Sequence, residues 1–251
     1  MKIEFVDEVT STNDVLIAKG HAGLCEDTVL VAFRQTGGKG RNGRSFFSPA
    51  KSGLYMSFLL HPKVQMQEAF LLTPLVAVAA AKAVEEYANQ QIDIKWVNDL
   101  YKNGKKISGI LTECSSSIIN GEPEFLVAGI GFNLFEPEGG FPDDIKDKAG
   151  SIFADDIDSL TNEALTSIKK GLAYSMVEQF EKYYEDFPYV TFLSEYRKRS
   201  FIVGKEVQIL GGPKVKAIGI ADDFGLIVEH LDGLKETLKA GEVSLVIGDS
   251  L

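Results

Sequence analysis

An α+β fold is what this sequence predicts: a mixed β-sheet domain flanked by helices, then a small barrel-like β domain at the C-terminus. Three observations carry the prediction. Short β-branched and aromatic runs, bounded by Gly, Pro, Asn or Asp, recur from Ile3 to Leu134. The stretches Gln67 to Asn89 and Thr161 to Phe187 instead show the 3.6-residue apolar period of helices. After Phe201 the texture changes to five β-rich runs (EVQIL, KVKAIGIA, GLIVEH, KETLKA, EVSLVI) at close spacing, the pattern of a small barrel of roughly 50 residues. The boundary falls near residue 199 and divides the chain into 1–199 and 200–251. A chain of 251 residues supports one large domain with such an appendage.

Ile3 to Val6 reads as the opening strand. Ser11 with Asp14 three residues on is a capping-box pattern, so a short helix begins there. Thr28 to Phe33 (TVLVAF) and Gly53 to Leu60 read as strands on either side of a glycine-rich segment. In the alanine-rich helix, Thr73-Pro74 reads as an N-cap followed by N1, with a shorter helical turn before it. Ile92 to Trp96 is a strand, and Asn103-Gly104 is a type I′ hairpin signal. A second hairpin turns at Asn120-Gly121 and returns as EFLVAGIGFNL, and Glu136 to Asp158 is irregular. Thr161 caps the long helix, Pro188 ends it, and a second helix follows from Val190 to Arg199.

The formal net charge is −10, which argues against general affinity for nucleic acid. Two cysteines, Cys25 and Cys114, offer neither a disulfide framework nor ligand spacing and read as reduced thiols. The N-terminus does not resemble a signal peptide, and the longest apolar run, Leu75 to Ala83, is too short to span a bilayer. The expectation is a soluble cytoplasmic protein, with no membrane partner.

Cations and glycines converge in Gln35 to Pro49, QTGGKGRNGRSFFSP. Gly38, Gly40 and Gly43 stand among Lys39, Arg41 and Arg44, so backbone amides and guanidinium forks can approach the same anion. The segment satisfies G-x-G-x-x-G and falls one residue short of a P-loop. Both motifs need a helix opening directly after them, and here SFFSPAKSGLYMSFLL leads into another strand. It reads as a flexible anion-binding loop with only glycine and charge around it.

Asp99 lies just past a strand end, where a carboxylate serves either as a turn cap or as a ligand to Mg²⁺ or a hydroxyl. Strict alternation puts Lys106 with Ser108 on one face and Ile107 with Gly109 on the other. Trp96, the one tryptophan, packs in the core by default. Gly129 and Gly131 in a strand suggest that a ligand or another backbone comes close. From the residues alone, this is a site for an anionic ligand, with a nucleotide as the leading candidate.

In STN at 11–13, QTGGKGRNGRSFFSP at 35–49, KWVNDLYKNGKKISGIL at 95–111 and GIGFNL at 129–134, the chain resembles the biotin protein ligases, in the family's order and spacing. The resemblance extends over essentially the whole chain. It implies a class II synthetase-like catalytic domain of the biotin/lipoate ligase type and an SH3-like C-terminal barrel. It also implies the chemistry: biotin and ATP, with Mg²⁺, form biotinyl-5′-AMP and pyrophosphate. The biotinyl group then passes to a lysine of a biotin carboxyl carrier domain, as in acetyl-CoA carboxylase.

By matched position, Lys106 holds the biotin carboxylate and α-phosphate, Arg41 closes over the adenylate, and Asp99 orients Mg²⁺ or assists the incoming lysine. Ser11, Thr12, Asn13 and Gln35 contact biotin, with Gly38, Lys39 and Gly109 lining its slot. Arg44, Phe46, Trp96, Asn98 and Asn133 belong to the nucleotide side. Three residues depart from the family's pattern: Val97 stands where proline is usual, Lys39 where arginine is common, and Phe46 where tryptophan is usual. Some relatives carry an N-terminal winged helix. This chain opens at its first catalytic strand, so the resemblance implies an enzyme only, and it leaves a homodimer open. A lipoate or octanoate ligase or transferase is the alternative of related fold, and a biotin-responsive binding protein or nucleic-acid binder is the alternative from another class.

Overall fold

A computed structural model describes residues 1–154, 157–239 and 241–246. Residues 155–156 of the irregular segment, Ala240 and Ile247 at the ends of the last two β-rich runs, and residues 248–251 lie outside the described residues.

The first sheet has seven strands: β1 (Lys2–Val9), β2 (Thr28–Gln35), β3 (Gly53–Leu60), β4 (Asp93–Lys95), β5 (Asp99–Lys102), β6 (Lys105–Cys114) and β9 (Leu126–Asn133). Their order is β1-β2-β3-β9-β6-β5-β4. Only β1 and β2 run parallel; the other pairs are antiparallel, so the sheet is mixed. Asn103 and Gly104 turn β5 into β6 with φ of 50° and 76°, as a type I′ turn requires. Asn120 and Gly121, at φ of 54° and 84°, do the same between β7 (Ile118–Ile119) and β8 (Glu122–Pro123).

One face of the sheet is covered by α3 (Leu72–Ala88), which follows the single turn α2 (Met66–Ala69), and by α4 (Asn162–Tyr184). Leu54, Met56, Phe58, Ile130 and Phe132 meet the alanines of α3 there in one apolar cluster. The stretch Met66–Ala88 is long and apolar enough to cross a membrane, but its apolar part is mostly buried inside the fold, as a core helix would be. The other face carries the short α1 (Thr12–His21), whose Leu16 packs with Leu30, Leu59 and Phe125. α5 (Leu193–Arg199) leads into a second sheet.

That sheet is antiparallel, built from β10 (Glu206–Ile209), β11 (Lys214–Ile220), β12 (Leu226–Glu229), β13 (Lys235–Leu238) and β14 (Val243–Leu245), in the order β13-β12-β11-β10-β14. All five predicted runs are strands. The last strand returns beside the first, and the outer strands β13 and β14 are not paired with each other among the described residues.

Several local expectations are corrected. Ser11 is the N-cap of α1 by backbone geometry but makes no side-chain cap bond, and Asp14 pairs with Lys39 instead. Pro74 is the third residue of α3, not the first; it is tolerated there because first-turn amides have no intrahelical acceptor. The capping box belongs to α2, between Gln65 and Glu68. The second helix starts at Leu193, not Val190. Thr161 does cap α4, its hydroxyl accepting from the amide of Ala164 at 3.2 Å.

Candidate active site

Between α1, the cationic loop and the strands β6 and β9 lies a cleft open to solvent on one side. Concave and lined by converging polar and apolar groups, it is the kind of place where small molecules bind. Gly109 of β6 and Gly131 of β9 are cross-strand partners on its floor. A Cβ on Gly131 would stand 2.5 Å from the Phe46 ring, and one on Gly129 would stand 2.0 Å from Asn13 Oδ1. The glycines leave room for those two side chains. This is the close approach that a glycine pair in a strand signals.

Lys106 shares this floor with Gly109: a Cβ on Gly109 would lie 3.3 Å from Lys106 Nζ. Alternation had put the two on opposite faces. The correction comes from a β-bulge: Leu100 pairs with Ser108 but Tyr101 with Lys106, so Ile107 is the extra residue. Ile107 and Ser108 are both buried, and Lys106 turns back to the cleft. Lys106 Nζ stands 2.7 Å from Asp99 Oδ1. Lys95 is the cross-strand partner of Asp99 and also lines the cleft. Burial holds its ammonium pKa below the usual lysine range, with Asp99 and Glu242 pulling the other way.

At one end of the cleft the side chains are polar and interlocked. The Thr12 amide and hydroxyl donate to Gln35 Oε1 at 2.7 and 3.1 Å. Ser57 Oγ lies 2.6 Å from Thr12 Oγ1 and donates to Asn13 Oδ1 at 2.6 Å. Asn13 Nδ2 donates to Leu111 O and to Glu113 Oε2, at 3.2 and 2.7 Å. Ser11 is buried beside them.

The loop forms the rim. No α-helix follows it; Arg41–Gly43 is a single 3₁₀ turn, and β3 comes next. The expectation that only glycine and charge surround it does not hold. Its backbone is closed by Phe46 N–H to Gly38 O at 2.9 Å and Gly40 N–H to Arg44 O at 2.7 Å. Its cations are partnered too. Arg41 donates 3.0 Å bonds to Asn98 Oδ1 and to Gly241 O, and the Arg44 guanidinium pairs with the Glu242 carboxylate. That pairing raises the Arg44 pKa and holds the Glu242 carboxyl below the usual range.

Nearly all the residues singled out in the sequence therefore line one cleft. Gly38, Gly43 and Asn133 do not. Gly38 borders a second, adjoining cavity behind Phe46. Asn133 Nδ2 donates to the carbonyls of Gly150 and Lys106, at 3.1 and 3.5 Å. Trp96 reaches the cleft but is only 3% exposed, and its indole N–H donates at 2.7 Å to Phe224 O, in the turn between β11 and β12. Sequence reading missed Lys95 and Glu242. The first had a signal, since the turn at 96–98 brings Lys95 opposite Asp99; the second had none.

A family model described as biotin/lipoate A/B protein ligase matches residues 5–133, and one described as biotin protein ligase C terminal domain matches 202–246. The chain belongs to the biotin protein ligase family. It is 33% identical over 241 residues to the bifunctional ligase/repressor BirA of Bacillus subtilis, covering 93% of this chain and 71% of that protein. To the biotin–[acetyl-CoA-carboxylase] ligase of Mycobacterium tuberculosis it is 28% identical, covering 96% and 88%. The solved structure of the Aquifex aeolicus biotin protein ligase in complex with biotin and ATP covers 98% of each chain, with a TM-score of 0.70 and 29% identity.

Proposed function

We propose that this ligase activates biotin with ATP and passes it to one lysine of a biotin carboxyl carrier domain. A biotin carboxylate oxygen attacks the α-phosphorus of ATP, the bond to the β-phosphate breaks, and pyrophosphate leaves. The carrier amine then attacks the acyl carbon of biotinyl-5′-AMP, loses a proton, and AMP departs. The observation that carries this reading is Lys106, set on the glycine floor between the polar end of the cleft and the cationic rim.

Bringing a carboxylate to a triphosphate is opposed mainly by repulsion, so placed positive charge is the chief requirement. Lys106 bridges the two reacting anions. Arg41 and Arg44 exchange their protein acceptors for phosphate oxygens; the planar fork of Arg suits that exchange. Ser11, Thr12, Asn13 and Gln35 hold the ureido end of biotin, with Gly109 beside its chain and Lys39 contributing backbone, while Gly38 closes the loop by accepting from Phe46 N–H. Phe46 stacks on the adenine, while Asn98, Trp96 and Asn133 support the nucleotide side.

Among the described residues no group of three His, Cys, Asp or Glu is placed to hold a metal. Asp99 fits as a single oxygen ligand to a Mg²⁺ that arrives on the triphosphate, which is how that ion usually binds. The ion would offset phosphate charge. Residues 1–199 form the catalytic unit in this reading and residues 200–251 the small C-terminal domain, whose Gly241 and Glu242 meet the arginines of the rim.

The test is incubation with ATP and either biotin or lipoate, followed by mass spectrometry of the adenylate and of an acceptor carrier domain. Biotinyl-AMP and a biotinylated carrier are expected, and lipoyl-AMP alone would overturn the reading. Lys106→Ala is expected to lower pyrophosphate release by about 10²-fold or more with little change in melting temperature.

A further inference from the structure

α4 turns an apolar face to the core through Leu165, Leu172, Ala173 and Met176, yet Lys169 on that face is only 4% exposed. Buried lysines are rare without a charged partner. Among the described residues no carboxylate pairs with this one. Its Nζ donates to two backbone carbonyls, Ala50 O at 2.7 Å and Phe33 O at 3.3 Å, and lies 5.4 Å above the Phe33 ring.

Those carbonyls sit on either side of a split in the sheet. β2 and β3 pair from Thr28–Leu59 to Ala32–Tyr55 and then separate. Everything from Thr36 to Ser52, the cationic loop included, hangs from that fork. Where the ladder stops, the two stems no longer hold each other by backbone bonds; Phe33 is half-buried and Ala50 exposed, so a buried donor that reaches both carbonyls ties stems that water would otherwise solvate. One amine satisfies a carbonyl on each stem. Two residues beyond Phe33 is Gln35, which receives Thr12; four before Ala50 is Phe46, which covers Gly131.

We propose that Lys169 is a positioning residue for the substrate loop, clamping its two stems so that Gln35 and Phe46 enter the cleft in register. It touches no substrate and acts through Phe33 and Ala50. The effect on catalysis rests on the ligase reading above; the clamp itself does not.

The test compares wild type with Lys169→Met, which keeps length and apolar packing, and Lys169→Arg, which can span both carbonyls. Hydrogen–deuterium exchange is followed in residues 36–52, with α3 as internal reference, and KM and kcat are measured separately. Lys169→Met is expected to exchange about tenfold faster in the loop while α3 is unchanged. Its KM for ATP and for biotin should rise about tenfold, with kcat moving less than threefold. Lys169→Arg should recover most of both. Unchanged loop exchange in folded Lys169→Met overturns the clamp, and so does acceleration spread equally over α3. Faster loop exchange with unchanged KM overturns the positioning role. Should Lys169→Met not fold, Lys169→Gln carries the same comparison, with loss of loop protection again expected. Absence of any biotinyl adenylate in wild type would refute the ligase reading instead, leaving the exchange result intact.

Discussion

At Lys106 the backbone of β6 holds one residue more than its neighbour β5, and that residue decides what the lysine can do. With Ile107 bulged into the core, Lys106 and Gly109 face the same cleft, and Asp99 lies 2.7 Å from the ammonium. Lys169 makes a different use of charge. Burial alone pushes its pKa down to about 8. In the unfolded chain it keeps the ordinary lysine pKa of 10.5, so between those values the unfolded chain binds the extra proton. Stability therefore rises with pH across that window, and below it the buried charge is a standing cost. The difference in unfolding free energy between wild type and Lys169→Met should shift toward wild type by up to about 3 kcal/mol from pH 8 to 10.5. Denaturant melts of the two proteins at a series of pH values measure this, and a pH-independent difference would refute it.

Elements set the depth of the cleft. β9 contributes Gly129 and Gly131, and the side chains that occupy the space above them come from α1 and the loop. The amide of Asn13 over Gly129 is committed on both sides, to Ser57 and to Leu111 and Glu113. A methyl group on Gly129 must displace it, because the two cannot stand 2.0 Å apart. Gly129→Ala should therefore raise the KM for biotin about tenfold, or about 1.4 kcal/mol, and leave the KM for ATP within twofold. Steady-state kinetics with each substrate varied separately decide it, and equal effects on both would count against a biotin-side role for this end of the cleft.

Across the whole molecule, turns of the second sheet reach the first domain beside the cleft. Trp96 donates to Phe224, Phe224 stacks on Phe192 at 5.1 Å, and Gly241 with Glu242 takes the two arginines of the rim. Glu242 thus presents a carboxylate to the cation that the proposed mechanism assigns to phosphate. Its pair with Arg44 is partly exposed, 30% and 55% at the two side chains. Such pairs are worth about 0.2–1 kcal/mol. Release of Arg44 in Glu242→Gln should accordingly lower the KM for ATP by roughly two- to fivefold. A rise in KM would mean that Glu242 instead holds Arg44 in its working position.

How much of this was legible beforehand follows from the range of each interaction. Local chemistry announced the strands, the Asn-Gly hairpins, the Thr161 cap and the five-run texture of the last domain, since turn residues and periodicity act within a few positions. It also marked nearly all the cleft residues, because they cluster in four short segments. Only tertiary structure decided the facing of Lys106, which depends on strand register, and the roles of Lys169 and Glu242, which depend on partners more than a hundred residues away. A sequence states which groups it carries and how its neighbours turn. The packing of α4, and of Gly241 and Glu242 just before β14, against the loop and its stems decides which carbonyl or carboxylate each of those charges meets.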